Sequence, residues 1–298
     1  MSSISEPNFV PGIKIPSIPR IPVGDIQNNT DGNNTCYFPV NRIYCVGKNY
    51  TDHVKEMGGN PRDEAPCFFM KPSNAIVPCG RCISTNQNSP VTQIVYPLGT
   101  DNLHYEVELV IAIGNVEGGT NDGVTNISVD DASKIVYGYG IGIDLTRRDL
   151  QSHAKKNGLP WCTSKGFDES APISNIYPIT IPQVYEQLHV PLTKSRSITT
   201  DICDGENHIG DDENRENKIS TKLWLYVNGQ LKQSGCPIRE MIWSVQEIIS
   251  QLSQLYTLRS GDIIFTGTPA GVSKIIPNDT VHAGMNVLGA LEFVVLPR

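Results

Sequence analysis

A chain of 298 residues, at the usual ~100–200 residues per domain, has room for one large domain or two ordinary ones and for a sizeable buried core. With 39% hydrophobic and 18% charged residues, and no apolar run near the roughly 20 residues that a bilayer demands, the composition is that of a soluble globular protein and excludes a membrane span. The 24 basic residues against 31 acidic ones give a formal charge of -7, which argues against a nucleic-acid partner and suits a metal ion or a small molecule.

Along the chain, residues 1 to about 40 are rich in Pro, Asn, Ser and Gly and read as an irregular N-terminal extension, with ordered structure expected from near Asn41. The first 24 residues hold five prolines, only Lys14 and Arg20 as basic residues, and no apolar block that would serve as a secretory leader. A cytoplasmic location is the default expectation, with a mitochondrial one left open. The 8 cysteines are too sparse for a disulfide-stapled scaffold, so reduced thiols are expected.

Apolar or alternating runs predict strands at Arg42–Val46, Glu106–Ile113, Ile135–Ile143, Lys222–Val227, Asp262–Thr266 and Ala290–Leu296. Helices are predicted for Asp52–Met57, ended by Gly58 and Gly59, and for Arg147–Asn157, stopped by Gly158 before Pro160. The clearest helical spacing runs from Ser244 to Leu258, where Val245, Ile248, Ile249, Leu252, Leu255 and Tyr256 share a face. Between about 192 and 220 lies an acidic, low-complexity insertion: Asp201–Glu216 carries seven acidic residues and one basic residue, with little to bury. Strands without regular βα alternation predict an α+β fold in one domain over 41–298, and exclude a doubly wound sheet.

Chemistry concentrates first in His104-Tyr105-Glu106-Val107-Glu108-Leu109. Side chains at i and i+2 of a strand share a face, so Glu106 and Glu108 project the same way, their roots about 7 Å apart. The competing reading is a solvated acidic face. The continuously apolar Leu109–Ile113 argues for burial instead, where paired carboxylates repel unless a cation compensates them. A third carboxylate, Asp144, ends the run Tyr137-Gly138-Tyr139-Gly140-Ile141-Gly142-Ile143, where it would serve either a site or a helix N-cap. The glycines there do not have the G-x-G-x-x-G spacing of a dinucleotide site. His53 and Glu56, at i and i+3, fit an imidazole oriented by a carboxylate for general-base work, with Gly58-Gly59 suited to a hinge; a surface ion pair is the alternative. Cys79-Gly80-Arg81-Cys82 lacks a second ligand pair, and Ser152-His153-Ala154-Lys155 lacks the partner motifs of an S-x-x-K enzyme.

These segments, in this order, resemble the fumarylacetoacetate hydrolase (FAH) superfamily. The resemblance runs through Gly47-Lys48-Asn49-Tyr50, Phe69-Met70-Lys71-Pro72-Ser73, the Glu106/Glu108 strand and Asp144-Leu145-Thr146-Arg147-Arg148. It continues through Lys156-Asn157-Gly158-Leu159-Pro160-Trp161, Lys165-Gly166-Phe167-Asp168 and Thr266-Gly267-Thr268-Pro269, covering about 41–298 apart from the insertion. Within the superfamily the chain is most similar to the single-domain acylpyruvase and oxaloacetate decarboxylase branch.

The resemblance implies a β-rich, mixed-strand roll and a homodimer, with neither nucleic acid nor membrane as partner. It implies that Glu106, Glu108 and Asp144 bind Mg²⁺ or Mn²⁺, that His53, Glu56 and Lys165 are catalytic, and that Arg148, Gln151, Lys71 and Thr268 bind the substrate. Three carboxylates without cysteine or histidine are also the hard oxygen set that suits those ions. A short 2-oxo acid would chelate the ion, which would stabilise the pyruvate enolate left by hydrolytic cleavage of an acylpyruvate or by decarboxylation of oxaloacetate. Keto–enol tautomerisation of oxaloacetate or a related diacid is the alternative in the same site. A non-catalytic binding protein retaining the fold is the alternative from another class.

Overall fold

The run Leu109–Ile113 is apolar throughout because it is covered on both faces. Val107, Leu109, Ile111 and Ile113 enter the main core, while Val110 and Ala112 enter a second one with Ile43, Cys45, Ile173, Ile263 and Phe265. Burial of this kind is worth about 1.5–3 kcal/mol for each large aliphatic side chain. The computed structural model describes residues 17–20, 36–51, 62, 65–81, 91–114, 123–178, 221–286 and 288–298. The expected helix Asp52–Met57 with His53 and Glu56, and the acidic insertion, lie outside the described residues.

Val107–Ile113 is central to an eight-stranded sheet. On one side it pairs antiparallel with Ile263–Phe265, which runs parallel to Ile43–Gly47, itself antiparallel to Cys67–Lys71. On the other it pairs with Val136–Ile143, followed by Ala171–Ile173 and a parallel Ile76–Pro78. A second, six-stranded sheet is built around Leu223–Val227, Thr280–Met285 and Gly289–Leu296. The main core includes residues of both sheets and the apolar face of helix Val245–Leu255. A third sheet joins Thr146–Arg147, Leu103–Tyr105 and Ser273–Ile275. The mixed strand directions and few helices are those expected of an α+β roll. Among the described residues no helix is long and apolar enough to cross a membrane.

Elements begin and end close to where the sequence puts them. Ser244 and Glu247 close a capping box on the Val245–Leu255 helix, which stops at Tyr256, short of the expected Leu258, because the Leu258 backbone pairs with Val124. Helix Arg148–Asn157 ends at Gly158. The extension departs from its irregular reading: Ser17–Arg20 pairs antiparallel with Cys36–Pro39, and Ile18 and Phe38 are buried in the second core. Proline is compatible with both strands because a two-stranded ribbon consists only of edges, which tolerate a missing N–H. Cys236 is disulfide-bonded, whereas reduced thiols were expected; among the described residues Cys45, Cys67, Cys79 and Cys162 are free.

Candidate metal centre and active-site cleft

Strand register assembles three acids from two segments. Glu106 and Glu108 share the face of Val110 and Ala112, so they continue the second core instead of meeting water. Glu108 stands opposite Gly142, and one two-residue step further the Asp144 N–H donates to the Glu106 carbonyl at 2.9 Å. That register puts Asp144 directly across from Glu106 on the same face. One oxygen from each of the three carboxylates lies within 4.8 Å of the others, and all three residues are buried. The alternative role of Asp144 as a helix cap does not hold, since the helix begins after Arg147. A side chain at Gly142 would collide with Phe265, its Cβ 2.4 Å from the ring, so the glycine run serves close strand packing.

Cations surround the acids. Lys165 Nζ lies 2.9 Å from Glu106 Oε2, 2.5 Å from Asp144 Oδ2 and 2.7 Å from Thr146 Oγ1. Burial opposes its charge, but Asp144 and Glu106 outweigh burial and hold the ammonium above the ordinary lysine range. Arg148 Nη2 donates to Glu106 Oε1, and its Nη1 donates to Gln151 Oε1 at 2.5 Å. Burial raises the Glu106 carboxyl, yet Lys165 and Arg148 more than offset this and keep it well below the usual range. Glu108 has weaker compensation. Burial, then the charges of Asp144 and Glu106, push it well above the usual range, against the charge of Lys165 and one 2.7 Å hydrogen bond from the Gly267 N–H.

The donor set fits a hard divalent ion. All the candidate ligand atoms are carboxylate oxygens, and the buried Asp144 Oδ1 accepts no hydrogen bond even though Lys71 Nζ lies 2.8 Å away.

Glu106 and Glu108 line a cleft of about 400 Å³, open mouth included, together with Lys48, Phe69, Arg148, Gln151, Lys155, Trp161, Lys165 and Thr268. Of the residues expected at the substrate, Arg148, Gln151 and Thr268 reach this cleft. Lys71 does not: it is buried behind Asp144, its ammonium directed to the carbonyls of Leu145 and Lys165. Four contributors were not identified from the sequence. The Gly267 N–H holds Glu108, and the positive φ of 98° at that residue is a conformation glycine adopts without strain. Exposed Lys155 stands at the rim, 5.1 Å from the centre of the Trp161 ring. His104 Nδ1 accepts from Arg148 Nε at 3.3 Å, and Gln233 ties Thr268 to the carboxylate strand. Burial and the Arg148 charge push the His104 pKa down to about 4, so the neutral ring orients the guanidinium.

Residues 42–296 match the family described as fumarylacetoacetate (FAA) hydrolase C-terminal. The chain belongs to this family. Among curated FAA hydrolase relatives, the mitochondrial oxaloacetate tautomerase FAHD1 of Bos taurus is 36% identical over 253 residues, 85% of this chain and 90% of the relative. The Arabidopsis thaliana oxaloacetate tautomerase FAHD1, also named as mitochondrial, is 33% identical over 86% of this chain and 92% of its own. Among solved structures of the FAA hydrolase type, fumarylpyruvate hydrolase from Pseudomonas aeruginosa, in complex with Mn²⁺ and pyruvate, superposes with a TM-score of 0.71 at 32% identity. That superposition covers 98% of this chain and 100% of the other.

Proposed function

We propose that this FAA hydrolase family member is a Mg²⁺- or Mn²⁺-dependent enzyme of short 2-oxo acids, interconverting the keto and enol forms of oxaloacetate. The observation that carries the reading is the buried three-carboxylate cluster, of which Glu106 and Glu108 line a cleft together with Lys48, Arg148 and Lys155. When bound, the ion would supply Lewis acidity for the enolate of a chelated 2-oxo acid and positive charge for a dianion. Glu106, Glu108 and Asp144 would hold that ion. Arg148, fixed by His104 and Glu106, and Gln151 would bind and orient the substrate carboxylate. Lys165 Nζ, kept protonated by its two acids, would set positive charge beside the developing enolate. The C3 proton would pass to His53, oriented by Glu56, and from it to the 2-oxo oxygen. Lys155 at the rim gives a second carboxylate a counter-charge, which favours a diacid.

Cleavage is the second reading: hydrolysis of acylpyruvates with water activated by His53, and decarboxylation of oxaloacetate. It is supported by the likeness to the fumarylpyruvate hydrolase structure that holds pyruvate. The deciding experiment presents oxaloacetate and acetylpyruvate to the purified protein with Mg²⁺, Mn²⁺ or EDTA, following enol absorbance and free pyruvate together. Ion-dependent enol–keto exchange of oxaloacetate without pyruvate supports tautomerisation. Ion-dependent pyruvate formation supports cleavage, and no ion-dependent change with either compound refutes both.

A further inference from the structure

Gln233 comes from strand Gln230–Gly235 of the second sheet, and its side chain is 1% exposed. Its Oε1 accepts from the Val107 N–H at 3.0 Å; its Nε2 donates to Thr268 Oγ1 at 2.8 Å and to the Pro269 carbonyl at 2.8 Å. The orientation of this amide is dictated by its partners. A backbone N–H only donates, so the amide oxygen must face Val107, and a carbonyl only accepts, so the amide nitrogen must face Pro269. The second proton of that nitrogen goes to Thr268 Oγ1, which is therefore an acceptor on this side. The proton of the Thr268 hydroxyl must then point elsewhere. Among the described residues no acceptor takes it, and Thr268 lines the cleft beside Glu106 and Glu108.

We propose that Gln233 is a positioning residue that fixes the Thr268 hydroxyl as a hydrogen-bond donor to an anionic oxygen of the substrate. It rests on the reading of the cleft as a 2-oxo acid site. Through Val107, flanked by Glu106 and Glu108, the same amide also ties the Thr268 loop to the strand that carries two of the three acids. A freely rotating hydroxyl would present its lone pairs to an anion as readily as its proton. Gln233 occupies one lone pair and bars the proton from that direction, so the proton takes one of the two remaining positions, and an anionic oxygen in the cleft selects the one that donates to it.

The test is calorimetric binding of pyruvate to the Mn²⁺-loaded protein, with Mn²⁺ affinity measured separately. Gln233→Met and Thr268→Val are each expected to weaken pyruvate binding roughly ten- to a hundredfold, the scale of a hydrogen bond to a charged group. The double variant should bind no more weakly than Thr268→Val, because Gln233 acts through that hydroxyl; independent, multiplying losses would overturn the proposal. Thr268→Ser keeps the hydroxyl and should retain binding. Thr268→Val that binds as well as Thr268→Ser would overturn the proposal even if Gln233→Met failed to fold. A second readout needs no ligand: both Gln233 side-chain amide protons should exchange slowly by NMR, and one should be released in Thr268→Val. Fast exchange of both in the native protein would sink the inference. Slow exchange in a native protein that fails to bind pyruvate would instead refute the 2-oxo acid reading and leave the hydroxyl's donor orientation standing.

Discussion

Glu108 should carry a proton in the metal-free protein and release it on metal binding. Its carboxyl is buried and accepts one hydrogen bond from Gly267, while the nearby ammonium and guanidinium groups are engaged by Glu106 and Asp144. Burial and the two neighbouring carboxylates raise its pKa well above the ordinary range. An ion must displace that proton, so about one proton should leave per Mn²⁺ bound. Apparent affinity should then rise with pH over the range in which that proton is held, by at most about tenfold for each pH unit. Calorimetry in two buffers of different ionisation enthalpy measures the proton directly. Glu108→Gln, which mimics the neutral carboxyl, should bind Mn²⁺ more weakly, release no proton and show a flat pH dependence. Proton release that is absent from the native protein, or unchanged in the variant, would refute the reasoning. The raised pKa also sets the sign for stability without metal. The native state keeps a proton that the unfolded chain sheds, so this residue's contribution is most favourable below the ordinary glutamate pKa and declines as pH rises above it. Mn²⁺ at a hundred times its Kd should add about 2.7 kcal/mol, or roughly 5–10 °C in Tm.

Lys165→Met removes the counter-charge that Glu106 and Asp144 share, leaving Arg148 beside one and Lys71 beside the other, and should cost about 1.5–3 kcal/mol, read as a lower Tm that Mn²⁺ partly restores; an unchanged Tm would count against that role. Lys155→Met should raise KM for oxaloacetate about two- to fivefold, the scale of an exposed ion pair, while leaving the monoacid acetylpyruvate unaffected. Equal effects on both would remove Lys155 from diacid recognition. His53→Ala should lose about 10²–10⁴ in ion-dependent oxaloacetate tautomerisation with Mn²⁺ binding intact, and full retained activity would exclude the imidazole as base. Gly142→Ala forces a Cβ against Phe265 and should destabilise by about 1–3 kcal/mol in denaturant unfolding.

The acidic cluster was partly legible because period-two alternation is a local property: Glu106 and Glu108 had to share a face, whatever lay opposite. The apolar run after them signalled burial, and the structure gives the reason, since that face continues into Val110 and Ala112. Asp144 was ambiguous because its role depends on cross-strand register, which no short window contains. Gln233 and the Gly267 N–H were illegible for the same reason, reaching their partners across 126 and 159 residues. A backbone donor also leaves no trace in residue type beyond the glycine that permits its conformation. Lys71 was misplaced because neighbourhood to the acids was known but not the side from which it approaches. The Ser17–Arg20 strand was hidden by its proline, which suppresses a strand signal everywhere except at an edge.

The parallel pairing of Ile263–Phe265 with Ile43–Gly47 joins segments some 220 residues apart, and the Gly267 donor and Thr268 follow directly on the later of them. During synthesis on a ribosome, the acidic strand therefore emerges long before the backbone amide that holds Glu108. The nascent chain must keep that carboxylate hydrated until nearly all of the polypeptide is available. Closing such distant contacts is slow. The centre is thus among the last parts of the molecule to mature, and a chain stalled before Gly267 would present its acids without the amide that anchors one of them.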